Sequence, residues 1–216
     1  MPVSRPFPDP RAAHPIVLPD GTRHAGTVFL SRVMDHPNIE VGDYTYAHDF
    51  DPPDDWAARL APYLAPGVPD RLRIGRYGQI ACGVRFITAG ANHARDAIST
   101  FPFPAFDPAQ MGQYHPDTRD TVIGHDVWLG FGAVVCPGAR IGNGVIVGAG
   151  TVVRGSVPDY AVVIGNPGTV ARMRFDAGTI ERLNALAWWT WPAETVALAR
   201  EAIMAADVDA LAAFAP

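Results

Sequence analysis

The sequence predicts a mainly β protein: a solenoid of short parallel strands with one protruding loop and a helical C-terminus. Three observations predict it. Apolar anchors recur every six residues, at Ile123, Leu129, Val135, Ile141, Val147 and Val153. Gly or Cys directly follows most of them, as in Ile123-Gly124, Leu129-Gly130, Val135-Cys136, Ile141-Gly142 and Val147-Gly148. The beat then fails over residues 94–118, a stretch of four prolines, three phenylalanines and scattered polar residues. A period of six fits neither a helix nor a hairpin meander. It fits a coil whose short strands meet at tight corners, where small residues relieve backbone crowding. Anchors one turn apart then stack into a continuous inner column.

The elements follow in order. Residues 1–26 are a Pro-containing N-terminal extension without an apolar leader core, so a cytoplasmic location is the default expectation. Residues 27–175 carry the repeat. A partial coil stands at Asn38-Ile39-Glu40-Val41-Gly42. A short helix is expected at about 54–64, where Asp54 and Asp55 offer caps and Trp56, Leu60, Tyr63 and Leu64 share a face. The beat resumes at Ile74-Gly75, Ile80-Ala81 and Phe86-Ile87. The spacing from Phe86 to Ile123 exceeds six hexads by one position, so residues 94–118 must leave the coil as a loop. After Arg174 the beat ends. Residues 179–187 and 194–205 read as helices separated by Trp191-Pro192, and residues 176–216 form a helical cap that blunts the solenoid's open end.

Composition narrows the chemistry. Of 216 residues, 48% are apolar and 18% charged, a low charged share that suits a self-associating chain. The net charge of −5 disfavours a nucleic-acid surface. All 17 basic residues are Arg, which excludes Schiff-base and phosphate-loop lysine chemistry. Phosphates must then meet Arg, backbone N–H groups or water. The two cysteines, Cys82 and Cys136, lack metal-ligand spacing and read as buried free thiols.

The sharpest constellation is Gly90-Ala91-Asn92-His93 followed by Ser99-Thr100-Phe101-Pro102-Phe103, at the edge of the break. A His there, beside an apolar loop, is matched to proton transfer near neutral pH, and equally to bonding a loop carbonyl. Ser99 reads as a loop residue rather than a nucleophile. With Asn38 to Tyr46, Ile123-Gly124-His125-Asp126-Val127-Trp128-Leu129-Gly130, Ile164-Gly165-Asn166-Pro167 and Trp188-Trp189-Thr190-Trp191-Pro192, these segments make the chain resemble the xenobiotic acetyltransferase family of hexapeptide-repeat proteins. That family includes streptogramin and chloramphenicol acetyltransferases. The resemblance spans about residues 27–192.

The resemblance implies a left-handed parallel β-helix, a homotrimer with active sites between subunits, acetyl-CoA as co-substrate, no metal, and O-acetylation of a small-molecule hydroxyl. It places the catalytic base on His93. One ring nitrogen would face the acceptor hydroxyl while the other donates to a carbonyl or side chain that holds the tautomer. It places CoA along Trp128, Gly130, Ala149, Gly150, Asn166 and Pro167, with Arg154, Arg172 and Arg174 as phosphate partners. It places the acceptor against Tyr44, Tyr46, Asn92, Phe101 and Phe103, while packing at the coil end accounts equally for the tyrosines, and loop anchoring is the commoner role for Phe101, Phe103 and Phe106. Glycines in the CoA set are equally explained by coil geometry, and the arginines by plain solvation. Trp188, Trp189 and Trp191 read as anchors for the C-terminal helices.

Two other classes stand beside this one. A γ-carbonic-anhydrase-like zinc enzyme uses the same scaffold but needs histidines paired on adjacent coils. Along the chain, His93, His115 and His125 read as the histidines of the repeat region, and they lack that pairing. A non-enzymatic β-helix binding protein is compatible with the repeat itself, and the Asn92-His93 element and Gly165-Asn166-Pro167 speak against it.

Overall fold

The structure, a computed structural model, describes residues 7–93, 96–110 and 117–216. β1 (Thr27–Phe29) and α1 (Leu30–Val33) lead into β2 (Ile39–Val41) and β3 (Tyr46–His48). Then follow α2 (Trp56–Leu60), β4 (Leu72–Ile74), β5 (Gln79–Ile80) and β6 (Arg85–Phe86). After the break come β7 (Thr121–Ile123), β8 (Trp128–Leu129), β9 (Val134–Val135), β10 (Arg140–Ile141), β11 (Ile146–Val147), β12 (Val152–Val153) and β13 (Ser156–Val157). β14 (Ala161–Ile164), β15 (Thr169–Met173), α3 (Ala177–Leu186), α4 (Ala193–Ala205) and α5 (Val208–Ala212) finish the chain.

From β4 to β14 successive strands step from sheet to sheet, so each turn of chain there visits three faces, whereas the first turn places β2 and β3 on two. The sheets run β1-β3-β5-β8-β11-β14-β15, β13-β10-β7-β4-β2 and β12-β9-β6. Pairing between turns is parallel, and Val122 stands opposite Arg140, so one regular turn takes three hexads. Among the described strands, β1 and β15, at the two ends of the largest sheet, pair antiparallel, and an isolated antiparallel bridge joins Val17 to Arg23. All six sequence anchors from Ile123 to Val153 are buried, as are Ile74, Ile80 and Phe86. Each contributes about 1.5–3 kcal/mol of apolar burial.

The corners show why the residues differ between faces. Three residues past many of the strands the backbone turns left-handed. Gly83, Gly132 and Gly150 occupy that place on one corner. On another the same place holds Tyr44, Tyr77, Asp126, Gly144 and Tyr160, with φ between 53° and 64°. A side chain there costs roughly 1–2 kcal/mol of backbone strain. The aromatic ones recover it by packing. Tyr44 stacks on Tyr77 at 4.8 Å, Tyr77 meets Trp188 at 4.9 Å, and Tyr160 meets Phe175 at 5.6 Å. The C-terminal cap docks on this corner, with Trp188, Trp189 and Trp191 buried among Leu183, Val196, Ala199 and Ala202.

Several expectations shift in detail. The short helix is α2, capped by Asp55, whose carboxylate accepts from the Ala58 N–H at 2.9 Å. Trp56, Leu60 and Leu64 are buried, but Tyr63 is exposed because the chain leaves the helix at Ala61. α3 and α4 begin slightly earlier than expected, and α5 adds a short helix to the two that the sequence predicts. Both cysteines are half-buried rather than buried.

Two turns are longer than three hexads. One runs from Ile39 to its partner Leu72, and the next from Leu72 to its partner Thr121. Both extra segments leave the coil on the way into the same five-stranded sheet, so they lie side by side.

Candidate active site

The two insertions brace each other where His93 departs. Past β6, a 3₁₀ turn over Ala89–Ala91 carries the chain to Asn92 and His93. The Ala89 N–H donates to Oδ2 of the buried Asp70 at 3.0 Å, and Asp70 belongs to the return of the first insertion. Gly90 lies against the Tyr63 carbonyl, which leaves no room for a Cβ. His93 is exposed, and its Nδ1 stands 3.2 Å from the Thr100 carbonyl. A carbonyl only accepts, so Nδ1 donates to it, and in the neutral ring Nε2 is the nitrogen with the lone pair. Asn92 is exposed beside it. Ser99 Oγ accepts from the Phe101 N–H at 3.1 Å, a turn-forming role. Phe101 stacks on Phe106 at 5.1 Å and meets Phe103 edge-on at 4.8 Å, and all three rings are exposed.

A groove of about 480 Å³ opens on the outer face of the seven-stranded sheet. Tyr46, Gln79 and Trp128 stand in register along it on β3, β5 and β8. Trp128 is 48% exposed. Adjacent strands are about 4.8 Å apart, so Tyr46 and Trp128 lie two strands from each other on one ladder. Pro8, Pro15 and Ile16 of the N-terminal extension wall the other side. Tyr44 does not join Tyr46 there: it is buried in the aromatic column under the cap. His93 does not line this groove within the single chain.

The remaining expected CoA residues divide into two groups. A Cβ on Gly130 would come within 2.8 Å of Ala149 N and Val147 O, so coil packing demands glycine. Gly150, with Ala149 before it at the next corner, has φ 66° and open space around it. Arg154, Asn166, Pro167 and Arg172 are exposed, and the Asn166–Pro167 peptide is cis in the β14–β15 turn. Arg174 is placed apart from them. It donates to the Gly144 carbonyl at 2.6 Å, pairs with Asp126 at 3.6 Å and lies over the Tyr160 and Phe175 rings. It lines a cavity of about 290 Å³ under the cap with Asp126, Trp188 and Leu211. Burial pushes the Asp126 carboxyl up to about 6, with Arg174 opposing the rise.

His125 is a structural element of the corner: its Nδ1 accepts from the Arg76 N–H at 2.9 Å and its ring stacks on Trp189 at 5.4 Å. Burial and the Arg76 charge hold it below the usual imidazole range. Among the described residues, no group of three His, Cys, Asp or Glu is placed to hold a metal ion. His115 lies outside the described residues. No described helix is long and apolar enough to cross a membrane.

Sequence reasoning missed three residues. The Thr100 carbonyl and Asp70 carry no local signal, since their partners lie 7 and 19 positions away. Besides His93, His115 and His125, the repeat region holds His36, and it also holds His48. His48 lines the groove, and strand alternation is the clue that could have found it, because it stands two residues from Tyr46 on β3 and shares its face.

Residues 120–155 match the family described as bacterial transferase hexapeptide (six repeats). The chain is 38% identical over 201 residues to a chloramphenicol acetyltransferase of Agrobacterium fabrum, covering 87% of this chain and 92% of the relative. It is 35% identical to the virginiamycin A acetyltransferase of Staphylococcus aureus, covering 84% and 82%. A hexapeptide-repeat acetyltransferase of Vibrio cholerae, solved with acetyl-coenzyme A, is 24% identical with a TM-score of 0.44 over 65% of this chain and 62% of that one.

Proposed function

Because the chain belongs to the xenobiotic acetyltransferase family of hexapeptide-repeat proteins, we propose that it moves an acetyl group from acetyl-CoA to a hydroxyl of a small-molecule acceptor, with His93 as general base. The observation that carries the proposal is the contact of His93 Nδ1 with the Thr100 carbonyl. Nδ1–H is held by the Thr100 carbonyl, which leaves Nε2 to take a proton. Nε2 takes the acceptor's hydroxyl proton as that oxygen attacks the thioester carbonyl carbon. The C–S bond then breaks, and the leaving thiolate recovers the proton from His93. The relatives' names favour an antibiotic-like acceptor such as chloramphenicol or streptogramin A, with an unidentified alcohol as the other possibility.

In this reading the coil is left-handed and the protein is a homotrimer. Two exposed apolar surfaces support the assembly: the Phe101, Phe103 and Phe106 cluster, and the coil face bearing Trp128, Phe131, Ile164 and Val170. One subunit's loop would bring His93, Asn92, Phe101 and Phe103 to the groove of the next, where Tyr46 stands. CoA would run from Trp128 past Gly130, Ala149 and Gly150 toward Asn166 and Pro167. Arg154 and Arg172 are the exposed choices for its phosphates, since Arg174 is already paired with Asp126.

The test is an acceptor panel of chloramphenicol, streptogramin A and simple sugars, incubated with acetyl-CoA and read by mass spectrometry and free-thiol release. An acetylated product is expected. His93→Ala should lower kcat about 10²- to 10⁴-fold while keeping the circular dichroism and size of the parent. Parent-like turnover in that variant would remove His93 from the mechanism. Light scattering should give three times the 23.1 kDa chain mass.

A further inference from the structure

Three histidines from separate parts of the chain gather round Thr27. Thr27 opens β1, is 4% exposed, and belongs to the wall of the groove with Tyr46 and His48. Its hydroxyl lies 3.1 Å from His48 Nδ1 and 3.3 Å from His24 Nδ1, and its carbonyl lies 3.3 Å from His14 Nδ1. The His24 and His48 rings are 5.7 Å apart and tilted by 31°. The approach depends on Gly26, where a Cβ would come within 3.0 Å of the His24 ring and 2.8 Å of the Asp49 carbonyl. The nearby Asp49 carboxylate is engaged by Cys82 and Arg59 instead.

The hydrogen-bond arithmetic is restrictive. His14 must donate to the carbonyl. A hydroxyl has one proton to give and two lone pairs, so it cannot donate to both His24 and His48; it either accepts from both or donates to one and accepts from the other, and only the second arrangement makes a relay. If Thr27 donates to His48, then His24 donates to Thr27; the reverse direction fits the same distances. The direction decides what His48 offers the groove. When Nδ1 accepts, the neutral ring carries its proton on Nε2 and donates there. When Nδ1 donates, Nε2 holds a lone pair and accepts. Among the described residues, no hydrogen bond engages His48 Nε2.

We propose that His24, Thr27 and His48 form a reversible hydrogen-bond relay in the acceptor wall, with His48 as a specificity-determining residue. The relay favours acceptors that carry an oxygen substituent (an amide carbonyl, a nitro group or a second hydroxyl) near the acetylated hydroxyl over acceptors with hydrocarbon in that place. The inference rests on the groove's being the acceptor site in the acetyl-transfer reading above. His48 is half-buried, and an acceptor that covers it without pairing its ring leaves a polar atom unpaired, which disfavours the analogue that lacks the oxygen.

Two measurements test it separately from that reading. Imidazole ¹⁵N spectra of the ligand-free protein should show unlike tautomers, with Nδ1 protonated in one of His24 and His48 and bare in the other. The same tautomer in both overturns the relay whatever the acceptor. Kinetics then use whichever panel acceptor the parent turns over. His48→Phe should raise the acceptor KM at least tenfold and leave the acetyl-CoA KM within twofold. His48→Gln, whose amide both donates and accepts, should stay within about threefold of the parent and keeps the assignment testable if the Phe variant is unstable. Thr27→Val should raise the acceptor KM by a smaller factor. An unchanged acceptor KM in His48→Phe overturns the assignment. Failure of the parent to acetylate any panel member overturns the antibiotic-like acceptor and the relay's role in its selection, and the tautomer measurement still decides the relay.

Discussion

The coils over residues 121–157 and those over residues 39–120 build the same three-sided wall with unlike regularity. In the later coils a residue meets its equivalent three hexads on, and every corner is short. In the earlier coils the return is far longer, from Ile39 to Leu72 and then from Leu72 to Thr121, because each turn sends a segment outward before re-entering the five-stranded sheet. The regular part supplies stacked anchors with no freedom to move. The irregular part supplies His93, the aromatic loop and the support that holds them. The division has a physical basis: a coil position is fixed by neighbours above and below, whereas an insertion must find its support in another insertion.

The largest expected effect tests the regular half. Ile141 is 3% exposed in the inner column, on β10, whose strand partners β7 and β13 carry no residue of the proposed site. Ile141→Ala should cost about 2–5 kcal/mol in denaturant unfolding, from lost burial plus a cavity that rigid coils cannot collapse. Its kcat at room temperature should match the parent. A kcat loss as large as that of a loop variant would break the comparison, because the coils would then be shaping the chemistry directly.

Next in size is the charge buried at the left-handed corner beneath the cap. A carboxyl whose folded pKa is raised binds its proton more tightly when folded. Its contribution is therefore most favourable below about pH 4 and is lost as pH rises through about 6. Asp126→Asn removes that dependence. Between about pH 4 and pH 7 the variant should gain about 2–3 kcal/mol relative to the parent. The constant cost of unpairing Arg174 is subtracted by comparing the two at each pH. A stability difference that stays flat over this window would show that Arg174 offsets the burial fully.

What was legible in the sequence follows the same division. The anchors and the corner glycines repeat, so Ile123 to Val153 could be placed on an inner column from their spacing alone. Asp55 and the tryptophans were legible because caps and large apolar residues act locally or through bulk burial. Thr100, Asp70 and His48 were not legible as partners. Each matters through a contact set by how two insertions or two distant strands meet, and spacing along the chain does not encode that. Arg174 shows the same limit from the other side: the resemblance offered it with Arg154 and Arg172 as a phosphate partner, and the fold turns it under the cap toward Asp126.

A third expectation tests the irregular half. At Gly90 the Tyr63 carbonyl excludes a Cβ, so Gly90→Ala must shift the turn that launches His93. A small displacement of a base weakens proton transfer more than it weakens folding. The variant should lose tenfold or more in kcat, about 1.4 kcal/mol of transition-state stabilisation, and lose less than that in unfolding free energy. Equal losses in both would mean that the turn is ordinary framework.

The smallest effect decides whether the two insertions act as one body. Asp55 caps α2, and α2 leads to the Tyr63 carbonyl that Gly90 touches. Asp55→Ala removes one cap bond and should cost about 1 kcal/mol in thermal or denaturant unfolding. If α2 merely shields the core under Trp56 and Leu60, kcat should stay within twofold of the parent. If α2 is the abutment against which the His93 turn is set, kcat should fall by more than the stability loss predicts. The decrease should be absent in a Gly90→Ala, Asp55→Ala double variant relative to Gly90→Ala, since the contact through which the cap acts is already disturbed. Additive losses would separate the two insertions and leave Asp70 as the link that positions the turn.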